Sequence, residues 1–391
     1  MGSVSRHNFT LSLSMRDFTM RDKGYNNFAY KIFLQSPQSD FYDSVHLIQL
    51  ERFTEQDLEL IKQESENELK CVLVHTIEPH WYDNGDLVSR QFKEFMGLCR
   101  KIGIYNADFY ITCFDDGNPN DFQVMNNNYY HWSFIPYNIG FACAYHDYYA
   151  TNDSDANTEL HVDQIQHNFL HMNFTHRMHR QLFSKFLIKE NLIDGNCVSI
   201  NVSGRFYQNA RGQAAIPSTQ NDDWPLNKNL STLWRDTALS KHTHQLIDNN
   251  FDQYYYGFLK NVGVYVVSET VFNHPHPYFS EKTVSALLSN RPFIIIGPHG
   301  SLRALKQKGY KTFSDMFDES YDNIVDPSSR MESIFELVKD INTRSLDEIK
   351  ENVLKCQDKL SHNRNLMLAS ISVYRKKVNA PSDVSLNSKQ I

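Results

Sequence analysis

Residues 266–313 read VVSETVFNHPHPYFSEKTVSALLSNRPFIIIGPHGSLRALKQKGYKTF, and here the residue types and spacing could do chemistry. An apolar run ends at Glu269, a His/Pro-rich loop follows, and Ser280-Glu281-Lys282-Thr283 opens a helical pattern. Ser280 is a good N-cap, and a capped first turn points its remaining amides outward. With Lys282 in that turn, the opening makes a seat for a phosphate. Glu281 beside it can accept from ribose or sugar hydroxyls. The next apolar run, Phe293–Ile296, ends in Gly297-Pro298-His299-Gly300, again ahead of a helical pattern. Two such openings at consecutive strand ends suit a diphosphate with a nucleoside on one end. Taken singly, Ser-Glu-Lys is also an ordinary cap with a surface charge pair, and Gly-Pro-His-Gly an ordinary turn.

Other residue groups compete for attention. Arg177 and Arg180 could each grip a phosphate bidentately through the guanidinium fork, or lie on a solvated helix face. His161, His167, His171, His176 and His179 include i,i+3 and i,i+4 pairs, but no cysteine or carboxylate completes a zinc site. They read as a polar, partly buried face. Asp153-Ser154-Asp155 has the form of a D-x-D metal motif but lies in a turn-rich stretch with no strand before it. The aromatics Tyr129, Tyr130, Trp132, Tyr145–Tyr149 and Tyr254–Tyr256 read chiefly as core.

The elements that must position these residues alternate strand and helix. Cys71–Val74 and Phe109–Cys113 are expected strands, joined by a helix over Ser89–Lys101 with Phe92, Phe95, Met96 and Cys99 on one face. After a polar linker at 150–158 come a strand at Phe169–Asn173, a helix at Thr175–Glu190 and a strand at Cys197–Val202. Residues 209–250 read as an irregular insertion. Val262–Ser268 is an expected buried strand, followed by a helix at 280–289, a strand at 292–296 and a helix at 301–308. Helices at 331–341 and 346–361 close the pattern. The expected fold class is α/β with parallel sheets.

The chain has 391 residues, room for two or three domains at about 150 each. Hydrophobic residues are 41% and charged residues 22%, which allows a proper core and excludes disordered, collagen-like and coiled-coil classes. The net charge of −7 does not favour nucleic acid overall, so any such contact needs a local basic patch. No apolar run approaches the roughly 18 residues of a membrane span, so no membrane insertion is expected. Met1–Met20 lacks the apolar stretch of a secretory signal. The six cysteines form no C-x-x-C pair and read as free thiols of a reducing compartment, so a cytoplasmic location is expected.

The run from Glu269 through FSEKT to Arg291-Pro292-Phe293 resembles the donor-binding half of GT-B glycosyltransferases. It is similar to α-1,3-fucosyltransferase-like enzymes and closer to glycosyltransferase-like proteins of tailed phages. The latter share SEKT, P-F-I-x-x-G-x-x-G-S-L, and a G-[FY]-K-T-F element followed by D-E-S-Y-D. Here these are Gly309-Tyr310-Lys311-Thr312-Phe313 and Asp318-Glu319-Ser320-Tyr321-Asp322. Asn173, Arg177 and Arg180 match the N-x-x-x-R-x-x-R entry helix of the same enzymes, where an arginine reaches the donor diphosphate. The resemblance spans residues 165–365 and leaves the first third unmatched. Ser280 replaces the usual Thr, Glu269-Thr270 replaces Glu-Asn, and 203–250 is inserted, so the donor need not be a GDP-sugar.

The resemblance implies two Rossmann-like β/α/β domains facing across a GT-B-like cleft. Residues 1–160 would form the acceptor side, 161–375 the nucleotide-sugar domain and 376–391 a flexible tail. Its donor-binding residues would be Arg177, Arg180, Glu269, Ser280, Glu281, Lys282, Thr283, Gly297, His299 and Gly300. The catalytic base would come from the first domain: Glu78, or Asp115 with its neighbour Asp116, ahead of His75 and His80. The co-substrate would be a UDP- or GDP-linked sugar, with no permanently bound cofactor, no protein metal site and a divalent metal optional. The implied outcome is inversion. One acceptor is a hydroxymethylated pyrimidine in phage DNA in the host cytoplasm, its base extruded. Lys306, Lys308, Arg303 and Lys311, with Arg6, Arg16, Arg21 and Lys23, would meet the phosphates of double-stranded DNA. The rival acceptor is a surface glycan or lipopolysaccharide precursor. A non-catalytic nucleotide- or glycan-binding module is the reading from another class. The pattern carries no signal of oligomerisation.

Overall fold

The computed structural model describes residues 8–11, 44–49, 53–63, 70–75, 90–104, 107–113, 130–136, 160–173, 177–200, 224–237 and 259–379. The chain divides into two compact units, Met1–Phe141 with Val373–Ile391, and Ala142–Ser372. Glu78, Asp115, Asp116, His80, His176, Asp153 and Asp155 lie outside the described residues, as do Arg6, Arg16, Arg21 and Lys23.

The first unit is built on a parallel sheet of β1 (Asn8–Leu11), β2 (Ser44–Gln49), β3 (Lys70–His75), β4 (Ala107–Cys113) and β5 (Tyr130–Pro136), ordered as in the chain. Among the described strands of this sheet chain order does not reverse, so none of them meet at a switch point of the doubly wound kind. Helices α1 (Glu55–Gln63) and α2 (Arg90–Ile102) accompany it. As the spacing of α2 predicts, Phe95 and Cys99 are buried and Met96 packs against the cluster. Phe95 meets Phe109 of β4 edge-on at 5.8 Å and Phe53 at 5.2 Å. Burial pushes the Cys99 thiol up to about 12, so it stays protonated and packs as an apolar group. Strands β1, β2 and β5 and helix α1 were not expected from the sequence; their apolar runs are short and flanked by polar residues.

The second unit carries β6 (His167–Asn173), α3 (Met178–Lys189), β7 (Cys197–Ile200), α4 (Lys228–Asp236), β8 (Val262–Ser268), α5 (Glu281–Leu288), β9 (Phe293–Ile296) and α6 (Ser301–Gln307). Helices α7 (Pro327–Thr343) and α8 (Leu346–Lys355) follow, and α9 (Gln357–Asn379) belongs to this unit through Ser372 and to the first unit from Val373. The sheet is parallel throughout in the order β7-β6-β8-β9. Every residue of β8 and β9 is buried, which is why both read as unbroken apolar runs. Chain order reverses between β6 and β8, so the carboxyl ends of those strands form a topological switch point.

Packing follows the apolar stripes. Leu182, Phe183, Phe186 and Leu187 of α3 are buried, and Phe186 stacks on Phe335 of α7 at 4.1 Å. Side chains of this size contribute about 2 kcal/mol each when fully buried. At Gly263 of β8, a Cβ would stand 2.0 Å from Ile349 Cγ2, so α8 lies on the sheet only because residue 263 has no side chain. Residues 228–236, expected to be irregular, form α4. Asn227 caps it by accepting from Leu230 N, and Lys185 of α3 donates to the carbonyls of Trp234 and Thr237 at its far end. The single closing helix expected over 346–361 is two: α8 starts with a Ser345/Glu348 capping box and stops at Cys356 before α9 begins.

Arg291, part of the family-like run, is buried at the opposite, amino-terminal end of the sheet. Its guanidinium donates to Val262 O (2.8 Å), Lys260 O (2.9 Å) and Asn290 O (2.9 Å). It is therefore a clamp on the entries of β8 and β9. Among the described residues no helix is long and apolar enough to cross a membrane.

Candidate functional site

Strand β8 ends one residue before Glu269, whose side chain is fully buried. Its Oε1 accepts from the Ser280 amide (3.0 Å) and the Thr283 hydroxyl, and Oε2 accepts from the Thr270 amide (3.0 Å). Ser280 caps α5 as the sequence predicts, its Oγ accepting from the Lys282 amide at 3.3 Å. The Lys282 ammonium lies half-buried over the same turn, 3.3 Å from Ser280 Oγ. A positive side chain is thus held at the positive end of a helix, against the dipole preference. The Glu281 side chain is outside the description.

The neighbouring strand end adjoins this group. Glu269 N donates to Ile296 O at 2.9 Å, and a Cβ on Gly297 would stand 3.5 Å from Glu269 Cβ. From below, α3 takes hold of the same turn. Arg180 Nη2 donates to Glu269 O (2.7 Å) and Ser268 O (3.3 Å), and His179 Nε2 stands 3.0 Å from Glu269 O. Arg177, the N-cap residue of α3, is buried, as is Arg180. Neither lies on a solvated face. The structure brings Arg180, Glu269, Ser280, Lys282, Thr283 and Gly297 together at the switch point. Beside them, Asn173 Oδ1 of β6 and Ser268 Oγ of β8 are buried with no hydrogen-bond partner among the described residues.

The second helix opening is different. Gly300 precedes α6 with φ +78°, a conformation suited to glycine, and its amide donates to Asp322 O at 2.8 Å. The Asp322 carboxylate accepts from the amides of Leu302 (2.9 Å) and Arg303 (3.0 Å). Two first-turn amides expected to face a phosphate are thereby filled by the chain itself. Burial pushes the Asp322 carboxyl up, against the opposing pull of those amides and Arg303. His299 in the same turn is half-buried, and burial, reinforced by Arg330, Arg303 and His276 and opposed by Asp322, pushes its pKa down.

The D-E-S-Y-D run is the scaffold of this turn. Glu319 accepts from Phe313 N (2.6 Å), Thr312 Oγ1 (2.7 Å) and Lys306 Nζ (3.0 Å). The Tyr321 hydroxyl accepts from Ile295 N of β9 at 3.1 Å. Lys306, expected to meet an acceptor, is therefore ion-paired, with its side chain 52% exposed; Lys308 is half-buried. Sequence reasoning missed Arg330 of α7, which donates to Phe272 O (2.8 Å), Ile324 O (2.7 Å) and Val325 O (2.9 Å) and covers the Phe272 ring at 4.3 Å. The contact with Phe272 O joins residues 58 apart in the chain and leaves no local pattern to find.

His167, His171 and His179 serve separate carbonyls. His167 Nδ1 is 2.8 Å from Gly195 O and His171 Nδ1 3.3 Å from Val266 O. Burial, with Arg180 and His179 close by, pushes His171 down to about 3. Among the described residues no three His, Cys, Asp or Glu side chains stand together as a metal site.

No protein-family model and no curated protein matches the chain. Solved structures similar to it include the DNA-modifying enzyme beta-glucosyltransferase, determined with and without uridine diphosphoglucose. That likeness has 6% identity over 95% of this chain and 99% of that one, with a TM-score of 0.39. Another is the T4 phage BGT with its UDP-glucose substrate, at 7% identity over 96% of this chain and 98% of that one, with a TM-score of 0.36. Likenesses this distant leave the functional reading to the chain's own residues.

Proposed function

We propose that the chain is a glycosyltransferase that moves a sugar from a nucleotide-sugar to an acceptor hydroxyl, holding the donor diphosphate at the opening of α5. The observation that carries this reading is the Ser280-capped turn with Lys282 over it, at the switch point of a parallel sheet and beside buried Arg180. The resemblance of residues 165–365 to the donor half of GT-B enzymes points the same way.

In the reaction the acceptor oxygen bonds to the anomeric carbon as the bond from that carbon to the diphosphate oxygen breaks. Negative charge grows on the leaving diphosphate, where the Lys282 ammonium and the α5 amides offset it. The acceptor proton passes to a base, for which Glu78 or Asp115 of the first unit is the candidate. Attack opposite the leaving group inverts the anomeric centre. The donor is UDP- or GDP-linked, and Arg177, Glu281, His299 and Gly300 complete its surroundings.

The acceptor proposed is a hydroxymethylated pyrimidine in DNA, with Lys308 near its phosphates. A screen of UDP-, GDP- and CMP-sugars against hydroxymethylcytosine DNA and unmodified DNA, scored by nucleoside mass, tests this. Transfer to the modified DNA alone is expected. Transfer only to a glycan or lipopolysaccharide precursor would overturn the acceptor. No transfer from any donor, with no thermal shift on adding nucleotides, would overturn the enzyme.

A further inference from the structure

The sequence pattern puts Glu269 among the groups that touch the donor. Its surroundings give it another task. A fully buried carboxylate is costly unless its oxygens are hydrogen-bonded, and here three donors from two stretches, the opening of α5 and the residue after Glu269, meet that need. Those donors are the Ser280 amide, the Thr283 hydroxyl and the Thr270 amide. The Glu269 backbone is tied as well, its carbonyl held by His179 and Arg180 and its amide by Ile296 O. One residue thus joins the end of β8, the end of β9, helix α3 and the first turn of α5.

We infer that Glu269 is a positioning residue, which fixes the first turn of α5 so that Ser280 and Lys282 meet a diphosphate in one geometry. The inference rests on the donor site proposed above. A carboxylate is required because each oxygen faces N–H or O–H donors. The amide of a glutamine would set an NH₂ against Thr270 N–H or, flipped, against Ser280 N–H. The Thr283 hydroxyl is the adjustable member, since valine keeps its shape and removes the donor.

Calorimetric titration of UDP and GDP into the wild type, Glu269→Gln, Thr283→Val and Thr283→Ser tests this, with melting temperatures measured in parallel. Glu269→Gln and Thr283→Val are expected to raise Kd about tenfold or more, the size of one lost charge-assisted contact, with Thr283→Ser near wild type. Amide exchange at Lys282 and Thr283 should quicken in the same two variants. Lower melting temperatures with unchanged Kd would make Glu269 merely structural and overturn the inference while the donor site stands. A wild type that binds neither nucleotide would take down both. If Glu269→Gln does not fold, the Thr283 pair decides.

Discussion

The Asp322 carboxylate grips the amide of Arg303 at 3.0 Å and that of Leu302 at 2.9 Å, capping α6 from outside the helix. Asp322→Ala should therefore leave one buried and one part-buried amide without their acceptor and cost about 1–3 kcal/mol by denaturant unfolding. The pH dependence has a definite sign. With its carboxyl held above the ordinary 3.8, the folded state keeps this proton longer than the unfolded chain, so the contribution is full below 3.8 and is lost as pH rises through the raised value. Asp322→Asn should remove that fall from the curve of melting temperature against pH. An unchanged curve would reject the assignment.

Lys282→Ala should cut turnover about a hundredfold, the usual effect of removing one group that stabilises transition-state charge. Stability should change by less than about 1 kcal/mol, because Ser280 still caps α5. The check is steady-state kinetics beside a thermal melt. Equal losses in both would make Lys282 structural.

His171 sets an acid limit on stability. The unfolded chain protonates it near the ordinary 6.5 while the folded state resists until about 3, so its contribution is whole above 6.5 and drains away as pH falls between those values. In His171→Leu the slope of stability against pH should flatten over that interval. A slope equal to that of the wild type would show that other groups govern it.

Gly263→Ala drives a methyl into Ile349 and should cost about 1–3 kcal/mol. Adding Ile349→Ala opens the space, so the double variant should lose less than the two single losses combined. Strict additivity would mean that the two positions do not press on one another.

Much of the second unit can be read along the chain. Continuous apolar runs mark β8 and β9 because strands covered on both faces leave no polar position to interrupt them. Ser280 announces its helix because capping is a contact between neighbours in sequence. The short strands β1, β2 and β5 escape such reading, since four to seven residues with polar flanks carry little periodicity. Helix α4 hides in a polar stretch; its hold on Lys185 is a contact 49 residues away.

The order of residues settles which groups are available for binding, but only the folded chain decides which remain open to a ligand. Glu281, His299 and Asp322 look alike on paper as polar residues near helix openings. Asp322 returns to fill the opening of α6, Glu319 claims Lys306, and Glu269 turns its charge into the core to hold Ser280. Hydrogen bonds between distant residues depend on position in space, and no local pattern of apolar and polar residues encodes them.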